Sequence, residues 1–207
     1  IYNEKWKPHS PYLIFLRMLW ALYEAHFDED ELRDIQSPLG LTEFQADGVA
    51  RMERLLEALG GVLVADEVGL GKTYLAAEVI RKANEERRQR VLIISPAALR
   101  DSMWNPFLEK HGFARLTKVL SYEQIRDRLD PDNPNQQQAI REFNDYALIV
   151  VDEAHNLRNP SAARSTALDR LLVSGAHPKQ LILLTATPVN NSLRDLETLV
   201  KYFIRDD

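Results

Sequence analysis

Residues 61–73 read GVLVADEVGLGKT, and this stretch decides the fold of the chain. Its apolar part, residues 62–65, is typical of a β-strand buried on both faces of a sheet. A glycine-flanked lysine and threonine follow the strand directly. From Thr73 onward, apolar residues recur at helical spacing, which predicts a strand that passes through a glycine-containing loop into a helix.

The residues of this loop predict a phosphate-binding site. Gly69 and Gly71 have no Cβ atom where backbone N–H groups must approach phosphate oxygens. Lys72 is predicted to contact the β- and γ-phosphates, and the Thr73 hydroxyl is predicted to bind Mg²⁺. The helix N-terminus favours anions. The strict pattern requires glycine five positions before Gly71, where this chain has Asp66. A strand-turn-helix connection that merely uses glycines is therefore the alternative.

A second motif, DEAH at residues 152–155, follows the apolar run 147–151. Carboxylates at the carboxyl end of a parallel strand lie where open α/β sheets bind ligands. We expect Asp152 to hold Mg²⁺, through water, opposite Thr73, and Glu153 to orient or deprotonate an attacking water. The alternative is that the two acidic residues cap a strand and that His155 only makes a local hydrogen bond.

A third motif, TATP at residues 185–188, ends another apolar run. Thr185 and Thr187 could donate hydrogen bonds to Asp152, Glu153 or His155 and so sense the γ-phosphate. They could equally be ordinary strand and turn residues.

Composition limits the class of protein. A length of 207 residues with 45% hydrophobic residues suits one large α/β domain, or a domain with an extension. The absence of cysteine excludes disulfides and thiolate chemistry, and it agrees with a cytoplasmic location. The net charge of -5 means that nucleic-acid binding would need a local basic surface. The apolar stretch 12–23 is too short to span a bilayer and contains Arg17, so we expect no membrane association.

Strand and helix patterns alternate along most of the chain, which predicts an α/β fold with a mostly parallel, twisted sheet and helices on both faces. Thr42 is the predicted N-cap of the helix before the first strand. A polar, proline-broken segment at residues 130–138 is predicted to be an exposed loop.

Residues 1–40 form a predicted N-terminal helical extension, and residues 41–207 the ATP-binding domain. The strands are predicted at 62–65, 91–95, 117–120, 147–151 and 181–185, with helices that begin near Lys72, Ala97, Tyr122 or Gln136, and Ala162.

The order of the three motifs resembles the first RecA-like lobe of superfamily-two helicase-like ATPases, and most of all the Swi/Snf-type branch. Residues 66–73, DEVGLGKT, match motif I of that branch, in which Asp66 replaces the usual first glycine. Residues 41–49 resemble its Q-motif, residues 94–96 with Leu99 and Trp104 its motif Ia, and residues 121–123 its motif Ib. Residues 184–191 resemble motif III in a form associated with bacterial members. The resemblance covers residues 41–203 and implies a P-loop, RecA-like domain.

The resemblance also implies roles for individual residues. Lys72, Asp152 and Glu153 would be catalytic, and Thr73 and Asp152 would hold Mg²⁺. His155, Thr185 and Thr187 would couple the nucleotide state to movement. ATP would be bound by Gln45, which would read the adenine, and by Asp66, Glu67, Val68, Gly69, Leu70, Gly71, Lys72 and Thr73. The nucleic-acid path would be lined by Ser95, Pro96, Arg100, Ser121, Arg158 and Asn159.

The function that the resemblance implies is that of a nucleic-acid-dependent ATPase, a translocase or remodeller that moves along double-stranded DNA through backbone contacts. Family members use a second RecA-like lobe with arginine fingers, which in phosphoryl transfer can be worth about 10³- to 10⁵-fold in rate. The sequence ends at Asp207 without the motifs of that lobe, so we expect residues 1–207 alone to hydrolyse ATP very slowly. The alternatives are another P-loop phosphotransferase, or a nucleotide-gated interaction module whose N-terminal helix, with Leu13, Phe15, Leu16 and Leu19, docks a partner.

Overall fold

The computed structural model describes residues 37–65, 71–174, 178–189 and 193–204. The predicted N-terminal extension, apart from residues 37–40, lies outside the described residues, and so do Asp66, Glu67, Val68, Gly69 and Leu70 of the predicted phosphate loop. Within the described residues, no helix has both the length and the apolar character needed to cross a membrane.

Five strands alternate with helices along the described chain. The strands are β1 (Gly61–Val64), β2 (Arg90–Ser95), β3 (Thr117–Ser121), β4 (Tyr146–Val151) and β5 (Gln180–Leu184). The α-helices are α1 (Glu43–Leu59), α2 (Lys72–Glu85), α3 (Ala97–Leu99), α4 (Asn105–His111), α5 (Tyr122–Arg128), α6 (Gln136–Phe143), α7 (Ala163–Val173) and α8 (Leu193–Val200). A π-helical segment (Arg100–Trp104) joins α3 to α4, and a 3₁₀ turn (Ala154–Leu157) follows β4.

The strands form one sheet in the order β1-β5-β4-β2-β3, and every neighbouring pair is parallel. This confirms the prediction of an α/β fold with a parallel sheet. Because all five strands point the same way, their carboxyl ends share one edge of the sheet. The segments after β1, β5, β4, β2 and β3 follow one another along this edge, which we call the carboxyl edge.

Alternating residues of each strand contribute to two separate hydrophobic cores, one on each face of the sheet. Val91 and Ile93 of β2 belong to the core under α1, α2 and α4. Leu92 and Ile94 of the same strand belong to the core under α5, α6, α7 and α8. Burial on both faces explains why the strands are continuous apolar runs rather than alternating patterns.

Local signals account for most helix boundaries. Thr42 caps α1 as predicted, because its hydroxyl accepts from the Gln45 backbone N–H and the Gln45 side chain accepts from the Thr42 N–H. The prediction of a loop over residues 130–138 is wrong at its end, where Gln136 already begins α6. That helix buries Ala139 and Phe143 against the sheet, so packing overrides the polar character of its first turn.

Candidate nucleotide site

The three motifs of the sequence meet at the carboxyl edge of the sheet. β5 lies between β1 and β4, so Thr185 follows the strand that separates the Lys72 loop from Asp152. Adjacent strands lie about 4.8 Å apart, which places the ends of β1 and β4 about 10 Å from each other. The charge of Lys72 acts on Asp152, where it opposes the increase in pKa that burial causes.

Gly71 is the turning point between the loop and α2. It has a left-handed backbone (φ 86°) and acts as the N-cap of α2, where its carbonyl accepts from the N–H groups of Tyr74 and Leu75. A Cβ atom at this position would lie 2.3 Å from Nε2 of Gln45. Gln45 of α1 is thus brought against the end of the loop, although 26 residues separate the two in sequence (71 minus 45). Thr73 sits in the first turn of α2, and its hydroxyl contacts Sδ of Met103 at 3.9 Å.

Two hydrogen bonds hold the Asp152 carboxylate. Its Oδ1 accepts from the backbone N–H of Glu153 at 2.9 Å, and its Oδ2 accepts from the indole N–H of Trp104 at 2.9 Å. Burial raises the pKa of Asp152, while the hydrogen bond from Trp104, the one from the Glu153 backbone and the charge of Lys72 act in the opposite direction. The carboxylate is therefore oriented by the protein and partly removed from water.

Glu153 adopts an unusual backbone conformation directly after this carboxylate. Its φ of 53° and ψ of 47° are left-handed, which is uncommon for a residue with a side chain. The Tyr122 hydroxyl donates toward both carbonyls of the turn, at 2.7 Å to that of Asp152 and 3.2 Å to that of Glu153. His155 Nδ1 lies 2.9 Å from Glu153 Oε2, within ion-pair distance but not aligned as a hydrogen bond.

The threonines of the third motif have partners other than the expected ones. The Thr185 hydroxyl is buried and accepts from the backbone N–H of Thr187 at 3.2 Å. Thr187 is exposed, and its hydroxyl accepts from Nη2 of Arg158 at 3.0 Å. Across the described parts of the chain, neither hydroxyl bonds to Asp152, Glu153 or His155. The third motif is therefore tied to the segment after the DEAH turn rather than to the acidic residues.

The residues of the predicted nucleic-acid path line the other half of the same edge. Arg100 is held by Asp101 and by Oε1 of Gln124 at 2.6 Å, so it bridges the π-helical segment and α5. Ser95 ends β2 and is fully buried, and Ser121 is buried as the N-cap of α5. The remaining members, Pro96, Arg158 and Asn159, are intermediate or exposed, and Asn159 accepts from Ser161.

Sequence reasoning missed two residues of the site. Trp104 was named only as part of motif Ia, and Tyr122 only within motif Ib and as a possible helix start. The available signal was chemical, because buried tryptophan and tyrosine usually need a partner for their single N–H or O–H group. The partner could not be named without the strand order.

The donor set fits ATP with Mg²⁺. A hydroxyl at Thr73 and a carboxylate at Asp152 are the oxygen ligands that Mg²⁺ prefers, and this ion usually takes only one or two protein ligands beside phosphates and water. Among the described residues, no group of three or more metal-binding side chains could form a cage made of protein alone. The close approach of Gln45 to Gly71, where a side chain would not fit, is what a compact phosphate loop requires.

Comparison with known proteins agrees with this geometry. The sequence model of the family described as "SNF2-related domain" matches residues 117–207. The chain is 27% identical to a Bacillus subtilis (strain 168) protein named an uncharacterized ATP-dependent helicase, YqhH, over 97% of this chain and 38% of that protein. It is 28% identical to the DNA repair and recombination protein RAD54B of Gallus gallus, over 69% of this chain and 17% of that protein.

Solved structures show the same fold. The Sulfolobus solfataricus SWI2/SNF2 ATPase core in complex with dsDNA matches with a TM-score of 0.62 at 24% identity, over 84% of this chain and 37% of that one. The chain thus resembles the Snf2-type branch of the superfamily-two helicase-like ATPases. Its parallel sheet with helices on both faces is the RecA-like fold of the SWI2/SNF2 ATPase core. The chain spans less than two-fifths of the length of each of these three proteins.

Proposed function

We propose that this chain is the ATP-binding lobe of a Snf2-type, nucleic-acid-dependent ATPase that moves along double-stranded DNA. The observation that carries the proposal is the meeting of Lys72, Asp152 and Thr185 at the ends of three neighbouring strands. Three motifs that lie far apart in the sequence are thereby brought to one edge of the sheet. A cytoplasmic location is part of the same proposal.

In the proposed reaction, ATP lies over the N-terminus of α2. The Lys72 ammonium compensates charge on the β- and γ-phosphates, and N–H groups of the loop and the first turn of α2 donate to phosphate oxygens. The chemistry that Mg²⁺ would supply, when bound, is compensation of the negative charge on the phosphates. Thr73 and Asp152 are the residues that would hold it. Gln45, next to Gly71, would read the adenine edge through its carboxamide group.

Glu153 is the proposed residue that orients or deprotonates the attacking water. Its left-handed backbone turns the side chain away from the course that the strand would otherwise give it. His155, 2.9 Å from the Glu153 carboxylate, would hold it in position. Positioning of this kind supplies most of what phosphoryl transfer needs from a protein.

DNA is proposed to lie over the ends of β2 and β3 and across the segment after the DEAH turn. Arg100, Arg158 and Asn159 offer polar side chains there. Ser95 and Ser121 are buried, so for them we propose a supporting place beneath the path rather than direct contact. Contacts to phosphates would make binding salt-sensitive and independent of sequence.

A second RecA-like lobe of the same parent protein completes the proposal. Its arginine fingers would supply the charge compensation that Lys72 alone does not, so residues 1–207 would bind ATP but hydrolyse it very slowly. Brisk, DNA-stimulated hydrolysis by residues 1–207 alone would contradict this part of the proposal.

The test is the ATPase rate of the full-length parent with no polynucleotide, duplex DNA, single-stranded DNA and RNA. We expect the largest stimulation by duplex DNA. Lys72→Ala should abolish ATP binding, whereas Lys82→Ala, on the same helix but paired with Glu53, should not. A rate that no polynucleotide changes would refute the proposed function.

Glu153→Gln gives a second, independent test in the parent. The substitution keeps the size of the side chain but removes its ability to take a proton, so ATP binding should persist while turnover stops. Glu142→Gln on α6, a surface glutamate that pairs with Lys118, is the matched control and should leave turnover unchanged. Normal turnover in the Glu153→Gln parent would show that the role assigned to Glu153 is wrong.

A further inference from the structure

The Trp104 indole is not only a buried core group, because its N–H group also donates a hydrogen bond to Asp152. Its side chain is fully buried in the core beneath α2 and α4, yet its N–H donates to Oδ2 of Asp152 at 2.9 Å. Tryptophan has a single donor and no acceptor, so this bond fixes both partners in one arrangement. Asp152 keeps one lone pair on each oxygen after accepting from Trp104 and from the Glu153 backbone. Those lone pairs are what a metal ion or its water ligands would use.

The backbone that carries Trp104 is adapted to this contact. Residues Arg100–Trp104 are π-helical, between the α-helical turns α3 and α4. Each extra residue in a helix rotates the residues after it by about 100°, so the π turn changes the direction in which Trp104 leaves the helix. Single π turns are frequent at functional sites. The same segment begins with Arg100, which donates to Gln124 of α5.

Tyr122 holds the other side of the same turn. It belongs to the core on the opposite face of the sheet, and its hydroxyl donates to the carbonyls of Asp152 and Glu153. A left-handed residue with a side chain needs support from its surroundings. One hydroxyl that bridges both carbonyls supplies that support for Glu153. The acidic turn is therefore held by an aromatic residue from each face of the sheet.

We propose that Trp104 and Tyr122 are positioning residues of the nucleotide site, Trp104 for the metal-binding carboxylate of Asp152 and Tyr122 for the backbone of the turn that carries both Asp152 and Glu153. This inference rests on the proposed function, because it assigns roles toward the magnesium complex of ATP. Neither residue touches the nucleotide. They act through Asp152 and Glu153, and both follow strands, β2 and β3, whose ends form the proposed DNA path.

The experiment measures how binding of a fluorescent ATP analogue by residues 1–207 depends on Mg²⁺. Trp104→Phe keeps an aromatic ring but removes the donor, and Tyr122→Phe removes only the hydroxyl. Loss of a partner that orients a metal ligand typically costs about 10- to 100-fold in metal affinity. We expect each variant to raise the Mg²⁺ concentration for half-maximal binding by about this factor. Affinity for the analogue in EDTA should stay within about twofold of that of the unchanged chain.

Tyr202→Phe is the matched control. It deletes another buried hydroxyl of the same core, one that donates to the Leu157 carbonyl, and it should leave the Mg²⁺ dependence unchanged. If Trp104→Phe does not fold, Tyr122→Phe measured against this control decides the matter alone.

Three results would count against the inference, and they are distinguishable. An unchanged Mg²⁺ requirement in the folded variants overturns it. Equal loss of affinity with and without Mg²⁺ also overturns it, because that is the behaviour of a purely structural defect. If the unchanged chain binds no ATP analogue even with Mg²⁺, the proposed function itself fails.

Discussion

Substitution of Gly71 by alanine tests the geometry at the start of α2. The residue has a φ of 86°, in the left-handed region that residues with a side chain rarely adopt. The added Cβ atom would also lie 2.3 Å from Nε2 of Gln45, well inside van der Waals contact. The alanine variant therefore meets two separate penalties, one in its own backbone and one at a neighbouring side chain.

The size of each penalty follows from the structure. The left-handed backbone costs about 1 kcal/mol for alanine. The Gln45 side chain can move, but it then loses the hydrogen bond that its Oε1 accepts from the Thr42 N–H in the capping box of α1. Loss of a helix cap costs about 0.5–2 kcal/mol, and this bond is one half of the box. We expect Gly71→Ala to lower the free energy of unfolding by about 2 kcal/mol in all.

The assay is urea unfolding of residues 1–207 and of four variants: Gly71→Ala, Gly112→Ala, Gln45→Ala and the double variant with both Gly71→Ala and Gln45→Ala. Gly112→Ala is the control for backbone strain alone, because Gly112 has a φ of 77° but nothing within 4 Å of an added Cβ atom. It should cost about half as much as Gly71→Ala. In a double-mutant cycle with Gln45→Ala, the two losses should be less than additive, since the second removes the clash. Additive losses within about 0.5 kcal/mol, or equal costs at Gly71 and Gly112, would refute the reasoning.

Two further predictions concern charged side chains. Lys118 and then Arg128 lower the pKa of Glu142 in the folded protein below its ordinary value of 4.5, so the carboxylate stabilises the fold above pH 4.5 and this contribution is lost as the pH falls through the lowered pKa. Because these pairs are partly exposed, Glu142→Gln should cost at most about 1 kcal/mol at pH 7 and less at pH 3, by urea unfolding at both pH values; an equal cost at both would contradict the reasoning. Arg158→Ala should weaken binding of the parent to unrelated duplexes equally and reduce the salt slope by about 1, by titration at several salt concentrations. Arg90→Ala, at the opposite edge of the sheet, should leave that slope unchanged, and a sequence-selective loss would contradict the proposed phosphate contact.

The sequence predicted the elements well because each depends on short-range patterns. Two-sided burial produces continuous apolar runs, and all five predicted strands agree with the structure within one residue at each end. The N-cap at Thr42 and the start of α2 at Lys72 could also be predicted from a few neighbouring residues. The start of α6 at Gln136 was predicted only as an alternative to a helix start at Tyr122, and the structure has both helices. Gln136 lies in a polar stretch, and its helix packs Phe143 on the sheet.

The hydrogen bonds between different motifs could not be predicted from the sequence. Thr187 could have bonded to the acidic turn or been an ordinary turn residue, and the structure shows that it accepts from Arg158. Trp104 was named only as part of motif Ia, and the structure shows that it donates to Asp152 across 48 positions of the chain. The two partners in each case lie on different elements, and nothing in the local pattern states which elements meet.

By itself, the sequence determined which segments are strands and where most of the helices begin, because burial and helix capping act over a few residues. Only the tertiary structure decided that β5 lies between β1 and β4, and that Trp104 and Tyr122 hold the acidic turn from opposite faces. The physical reason is that strand order depends on the crossovers and on packing of whole faces. These interactions join residues that are close in space only after the sheet has formed.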